Sequence, residues 1–187
     1  SALAEAGRMS EATTCFERAL ELDPENPRAH NNLGGALAES GRLAEAIEHL
    51  RKVIEIEPDF ADGHNNLGAA LARSGALDEA ALHLEKAVAL APQNVEYRYN
   101  FGRVLAAKGR FGDAANQLEE AAKLSQMREP VILQMLAAMY SEIGQYPEAV
   151  ATARNALALV AGQRNQELEA ALKADLDHYE KLAQGAH

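Results

Sequence analysis

The sequence repeats itself every 34 residues, and that period limits what the chain can fold into. His30-Asn31-Asn32-Leu33-Gly34 returns 34 residues later as His64-Asn65-Asn66-Leu67-Gly68, and Asn100-Phe101-Gly102 follows at the same interval. Gly7, Gly41, Gly75, Gly109 and Gly144 form a column with spacings of 34, 34, 34 and 35. Two further columns run in step, Ala12, Ala46, Ala80, Ala114, Ala149 and Ala19, Val53, Ala87, Ala121, Ala156. Pro24, Pro58 and Pro92 close three successive units. A unit this short cannot bury an apolar face alone, so it must stack on its neighbours.

Each unit reads as two helices. From Arg28 to Ser40, Leu33, Ala36 and Leu37 recur at three- and four-residue spacing, the pattern of an amphipathic helix. Gly41 then supplies the left-handed backbone that ends a helix at low steric cost. A second helix runs to Glu57 with Leu43, Ala46, Ile47, Leu50, Val53 and Ile56 inward, and Pro58 stops it. Connections this short force antiparallel neighbours. Aromatics are only 5% of the chain and Trp is absent, while alanine is abundant. Small side chains of high helix propensity let helix axes approach. Bulk added at Gly34, Gly68, Ala46 or Ala80 should cost about 1–3 kcal/mol by overpacking.

Leu33, Gly34, Leu37, Gly41, Ala46, Leu50, Val53 and Pro58, with their counterparts one unit on, resemble the tetratricopeptide repeat family in its Asn-Leu-Gly form. The resemblance spans roughly residues 1 to 161 and implies an all-α, right-handed α-solenoid of antiparallel hairpins with a concave groove. Where the family carries a large aromatic early in the first helix, this chain has His30, His64, Arg98 and Leu133. A partly buried packing histidine is the reading adopted for His30 and His64.

The units fall at 1–26 (the end of a first helix plus a second helix), 27–60, 61–94, 95–129 and 130–163, with a C-terminal capping helix in 164–187. Residues 1–6 read as the last turns of a helix whose earlier part is missing, as in a piece cut from a longer protein or a short cap. Gly162 breaks the pattern near the other end. Residues 165–184 then form one helix with Leu168, Leu172, Leu176, Tyr179 and Leu182 inward and Glu169, Lys173, Asp177 and Glu180 outward, a solvated cover for the stack. This tail resembles those of multi-domain bacterial repeat proteins, some of them fused to glycosyltransferases.

Signatures of catalysis are missing from the sequence: no phosphate loop, no His-Glu-x-x-His, no paired Cys-x-x-Cys, no Gly-x-Ser-x-Gly. The expectation is a protein that is not an enzyme and needs no cofactor or metal. Glu45 with His49, repeated as Glu79 with His83, puts two metal-ligand types four residues apart on one helix face. Glu11 with Cys15 shares that column, but Asp113 with Gln117 spoils it, and a duplicated solvent-facing pair is the preferred reading. The formal net charge of −10 repels phosphate backbones, which disfavours nucleic acid. No apolar run is long enough for a membrane span, and no secretion-signal pattern opens the chain. A soluble protein, cytoplasmic by preference, is expected, although the single Cys15 leaves the redox compartment open.

In the family's fold the first helix of each unit lines the groove. The resemblance therefore implies a peptide-binding surface of Asn31, Asn32, Asn65, Asn66, Tyr99, Asn100, Arg103 and Gln134. Asn32, Asn66 and Asn100 form its central column. An amide side chain donates and accepts as a peptide backbone does. Stacked units lie about 10 Å apart and three extended residues span about 10 Å, so one asparagine per unit matches an extended chain without reading its sequence. The repeats of protein O-GlcNAc transferases carry a similar ladder, which this chain resembles. Clamping of a C-terminal carboxylate is disfavoured, because the places for its cations and amides hold Asn31, Gly35, Glu96 and Asn100, and only Asn66 fits. The functional expectation is a scaffold binding a peptide or partner protein. The alternatives are self-assembly, with an apolar edge near Leu3 and Phe16 or the groove docking on another copy, and the targeting arm of a larger enzyme such as a glycosyltransferase.

Overall fold

The computed structural model describes residues 2–161 and 165–185, with side chains from residue 11 onward. Among these residues there are ten helices and no strand, and the chain divides into two compact units, Ser1–Pro92 and Gln93–His187. In the first, α1 (Ala2–Leu22) is followed by the antiparallel hairpins α2 (Pro27–Glu39) with α3 (Leu43–Ile56) and α4 (Ala61–Arg73) with α5 (Leu77–Leu90). Helix α1 packs on α2, and α3 on α4. In the second, α6 (Val95–Ala107) pairs with α7 (Phe111–Leu124), α8 (Pro130–Glu142) with α9 (Tyr146–Val160), and α10 (Gln166–Gly185) lies mainly on α9.

Helix ends follow local chemistry. The Asn26 side chain accepts a 3.0 Å bond from the Ala29 amide at the start of α2, and Pro27 takes the first helical position, where no amide is needed. At the other end of α2, Gly41 adopts φ +83°. The Arg42 amide then reaches back to the Leu37 carbonyl at 2.9 Å and the Gly41 amide to Ala38 at 3.0 Å. This double closure satisfies carbonyls that the helix leaves unpaired, and it recurs at Gly75, Gly109 and Gly144. Helix α7 ends the same way without a glycine. Gln126 stands at φ 55°, the Met127 amide bonds the Ala122 carbonyl at 2.7 Å, and Met127 is itself at φ 55°. That turn replaces the proline stop of the earlier units and accounts for the interval of 35.

The core is a series of identical crossings. A Cβ added to Gly34 would stand 2.6 Å from Leu50 Cγ, one on Gly68 would stand 2.6 Å from Leu84 Cγ, and one on Gly102 would stand 2.8 Å from Leu118 Cγ. All three leucines are fully buried. In the last hairpin both partners change together: Ala137 takes the glycine's place and Ala153 the leucine's. Tyr179 of α10 joins Ala137, Ala149 and Ala153 in one buried cluster, with Tyr140, Val150 and Leu176 at its edge. Leu172 and Tyr179 are the buried members of the capping stripe, while Leu168, Leu176 and Leu182 are half-buried.

The N-terminal segment departs from the sequence reading. Its backbone from Ala2 to Leu22 is one helix, so the break at Gly7 that would separate residues 1–6 from a second helix is not formed. Glycine permits a left-handed helix end without requiring one, so the backbone can also continue as a helix through Gly7. The side chain of Leu3 and the break at Gly162 lie outside the described residues.

Two adjacent glycines separate close packing from backbone propensity. Gly34→Ala is expected to lower stability by about 1–3 kcal/mol through its clash with Leu50. Gly35 meets nothing within 4 Å, so Gly35→Ala should raise stability by about 0.5–1 kcal/mol, as alanine does within a helix. Urea unfolding midpoints of the two variants measure both effects.

Candidate functional site: the first-helix faces and two histidine pairs

In the first unit the asparagine doublets split by depth. Asn31 and Asn65 are buried, whereas Asn32 is exposed and Asn66 half-buried. Asn66 Nδ2 donates to Asn31 Oδ1 at 3.0 Å, and Asn65 Nδ2 donates to Asn66 Oδ1 at 3.4 Å. One amide of each doublet therefore sits among the packed helices, and a bond from α4 to α2 joins successive repeats. Asn66→Ala would strand the buried Asn31 oxygen and cost roughly 1 kcal/mol, so Asn66 is not the neutral probe of binding that its repeat position implies.

In the second unit, Tyr99 and Asn100 are half-buried and Arg103 is exposed. The Arg103 guanidinium lies 5.8 Å from the Tyr99 ring centroid, a cation–π distance. Tyr99 also borders an open cleft of about 540 Å³ with Val95, Glu96, Arg128, Glu129, Val131 and Ile132. Val131 is 48% exposed there, an apolar side chain left to solvent beside an aromatic one. Gln134 is occupied otherwise: its Nε2 donates to Asp175 Oδ2 of the capping helix at 2.8 Å. Of the eight groove residues read from the sequence, Asn31, Asn65 and Gln134 thus serve internal packing. Asn32, Asn66, Tyr99, Asn100 and Arg103 retain solvent access.

The histidines form an arrangement that inspection of single helix faces missed. His30 Nδ1 faces His49 Nδ1 at 2.9 Å, and His64 Nδ1 faces His83 Nδ1 at 2.9 Å. Ring centroids are 5.2 Å apart in both pairs. Each buried member is held on its far side as well, His30 Nε2 at 2.9 Å from the Pro24 carbonyl and His64 Nε2 at 3.0 Å from the Pro58 carbonyl. A carbonyl only accepts, so Nε2 carries the proton and the neutral His30 offers its Nδ1 lone pair. His49 then donates from Nδ1, and the same logic applies to His64 and His83. Each pair thereby ties the incoming turn, the first helix and the second helix of one hairpin. The visible signal was the 19-residue interval from His30 to His49 and from His64 to His83.

The carboxylates four residues away are engaged elsewhere. Arg42 bonds Glu45 through Nε at 2.7 Å and Nη2 at 2.6 Å, and Arg51 reaches across repeats to Glu79 at 2.8 Å. Only Glu79 stays near its histidine, 3.9 Å from His83 Nε2. Among the described residues no group of three or more His, Cys, Asp or Glu is placed to hold a metal ion. In the third repeat the same two positions hold Arg98 and Gln117, with Arg98 Nη1 donating to Gln117 Oε1 at 3.0 Å.

Comparison with known proteins places the architecture. Models of the tetratricopeptide repeat match residues 1–59, 61–94 and 132–175. The chain is similar to a thermophilic TPR protein of Thermus thermophilus, at 27% identity over 93% of each chain and a TM-score of 0.71. MamA from Desulfovibrio magneticus RS-1 is 21% identical, with 86% of this chain and 90% of that one covered and a TM-score of 0.76. YrrB, described as a TPR protein with an unusual peptide-binding site, is 21% identical, with 92% and 87% covered and a TM-score of 0.72. At such identities the last two share the fold, an all-α helical solenoid. No curated protein matches the sequence. No helix among the described residues is long and apolar enough to cross a membrane.

Burial, then the facing His30, pulls His49 below its ordinary value of 6.5 against the opposing pull of Glu48, Glu45 and Glu17. Burial, then His64, does the same to His83, with Arg51 adding to the fall and Glu79 opposing it. A histidine depressed in the folded state leaves the unfolded chain binding more protons. Its stabilising share is therefore complete above about 6.5 and is lost as pH falls through the folded value. Stability by urea unfolding should decline between about pH 7 and 5.5, a range in which ordinary carboxylates stay charged. A His49→Gln, His83→Gln double variant should show a flatter profile across the same range.

Proposed function

Because the chain belongs to the tetratricopeptide repeat family, we propose that it is a protein-interaction scaffold holding a peptide or partner protein against the first-helix faces of its repeats. The observation that carries this reading is the division of labour on those faces. One amide of each doublet is buried in the stack. Of their neighbours Asn32 stays exposed, and Asn66 keeps partial access to solvent while tying α4 to Asn31. An amide oriented by a fixed helix loses little freedom when it meets a peptide group. Tyr99 with Arg103 adds an aromatic and cationic contact in the second unit, residue types enriched where binding energy concentrates. The role is binding and not catalysis, and the net charge of −10 makes a basic or neutral segment a better partner than nucleic acid.

A second reading has its own support. Leu22 is 80% exposed and Leu82 67% exposed in the first unit, so contact between copies of the chain is the rival use of its surface.

Peptides selected from a random library against the full chain should bind with dissociation constants in the micromolar range typical of modest interfaces. Asn32→Ala should weaken those that dock on the first unit, and Tyr99→Ala those that dock on the second, by about tenfold, equivalent to about 1.4 kcal/mol, without moving the unfolding midpoint. Light-scattering mass should stay at 20.1 kDa between about 1 and 100 μM, the range in which modest interfaces titrate. A mass that climbs with concentration, together with peptide binding indifferent to both variants, would transfer the main role to self-assembly.

A further inference from the structure

We propose that the His30–His49 and His64–His83 pairs are two equivalent sites for a monovalent d10 metal cation, copper(I) or its stable analogue silver(I), held linearly between facing Nδ1 atoms. The geometry is the argument. In both pairs the Nδ1 atoms approach to 2.9 Å, so the two ring nitrogens already point at each other. His49 and His83 present a lone pair there once their Nδ1 proton has moved. The buried ring of each pair is anchored through Nε2 to a backbone carbonyl, at 2.9 Å for His30 and 3.0 Å for His64. Imidazoles that ligate metals are oriented in this way, with the second nitrogen donating to a carbonyl or carboxylate.

Two metal–nitrogen bonds of about 2 Å would need the Nδ1 atoms about 4 Å apart, so one ring must retreat by about 1 Å. His49 and His83 are only half-buried and supply that movement. Protons balance without an outside acid or base. On entry of the ion the Nδ1 proton of His49 or His83 transfers to its own Nε2, leaving two neutral imidazoles and one added positive charge. At the second site Glu79, 3.9 Å from His83 Nε2, faces that new N–H.

Ligand number selects the metal. Zinc in proteins asks for four donors in a tetrahedron, and no third His, Cys, Asp or Glu completes such a set among the described residues. Copper is well matched to imidazole, and its monovalent d10 form is satisfied by two donors in line. The third repeat is an internal blank, since Arg98 and Gln117 occupy the equivalent positions. The capacity is therefore two ions per chain, and the inference stands apart from the partner-binding reading.

The test uses the full chain carrying Cys15→Ser, because that exposed thiol would itself capture a soft ion. Silver(I) titrated in chloride-free buffer near pH 7.5 and followed by native mass spectrometry should load two ions. His49→Gln and His83→Gln should each remove one, and the double variant both. Far-ultraviolet circular dichroism should stay helical throughout, since glutamine already fills this position at Gln117. Nitrogen-15 resonances of the four imidazoles should move at Nδ1, with Nε2 of His30 and His64 remaining protonated. A stoichiometry unchanged by the double variant would overturn the proposal and assign the ions to thioethers such as Met127. So would metal shifts confined to Nε2, or silver displaced by equimolar zinc(II).

Discussion

Within three of the hairpins the first helix lies against the second at a distance that a single absent carbon permits. Gly34, Gly68 and Gly102 each present bare backbone to the branch point of a buried leucine, and a Cβ there would stand 2.6–2.8 Å from that carbon. Dispersion and burial favour this closeness: a fully buried leucine contributes about 1.5–3 kcal/mol, and interiors tolerate neither voids nor overlap. The last hairpin shows that the constraint belongs to the pair. Where alanine replaces the glycine, as Ala137, alanine also replaces the leucine, as Ala153, and Tyr179 comes from α10 to join the cluster. The cap is therefore a packing partner for a hairpin whose own side chains are smaller.

The polar ties are built on that frame. A slot that the family fills with an aromatic ring holds in two repeats a histidine bonded on both sides, to a turn carbonyl and to a second histidine. Among the described residues no buried side-chain nitrogen or oxygen lacks a partner, so the substitution trades apolar bulk for directional bonds without leaving an orphan. The ion pairs outside are of another kind. Lys52 near Glu25 and Lys86 near Asp59 repeat with the same period, but they are exposed, and such pairs contribute about 0–1 kcal/mol. Register between repeats comes from the buried contacts, with the exposed pairs following it.

Much of the candidate surface was legible as positions and little of it as roles. A doublet such as Asn31-Asn32 turns about 100° around a helix between its members. One must then point inward more than the other, but periodicity alone does not say which amide is bonded across repeats. The bond from Asn66 to Asn31 links residues 35 apart, and Gln134 meets Asp175 across 41. Pairings at such separations depend on where helices come to rest. The Glu45–His49 and Glu79–His83 pairs showed the reverse: adjacency on one face was read correctly, yet arginines hold the carboxylates and histidines of another helix hold the imidazoles.

The sequence by itself determined the period, the hairpin boundaries marked by Gly41, Gly75, Gly109 and Gly144, the apolar stripes and the capping helix. These are local properties: helix propensity, amphipathic spacing and left-handed turns act over a few residues and leave their pattern in the chain. Only the tertiary structure decided which asparagine of each doublet is buried, that α1 continues through Gly7, that Gln126 takes a glycine's conformation, and that two histidines face each other nitrogen to nitrogen. Each depends on the distance and rotation between packed helices, quantities set by the jigsaw of buried side chains as a whole.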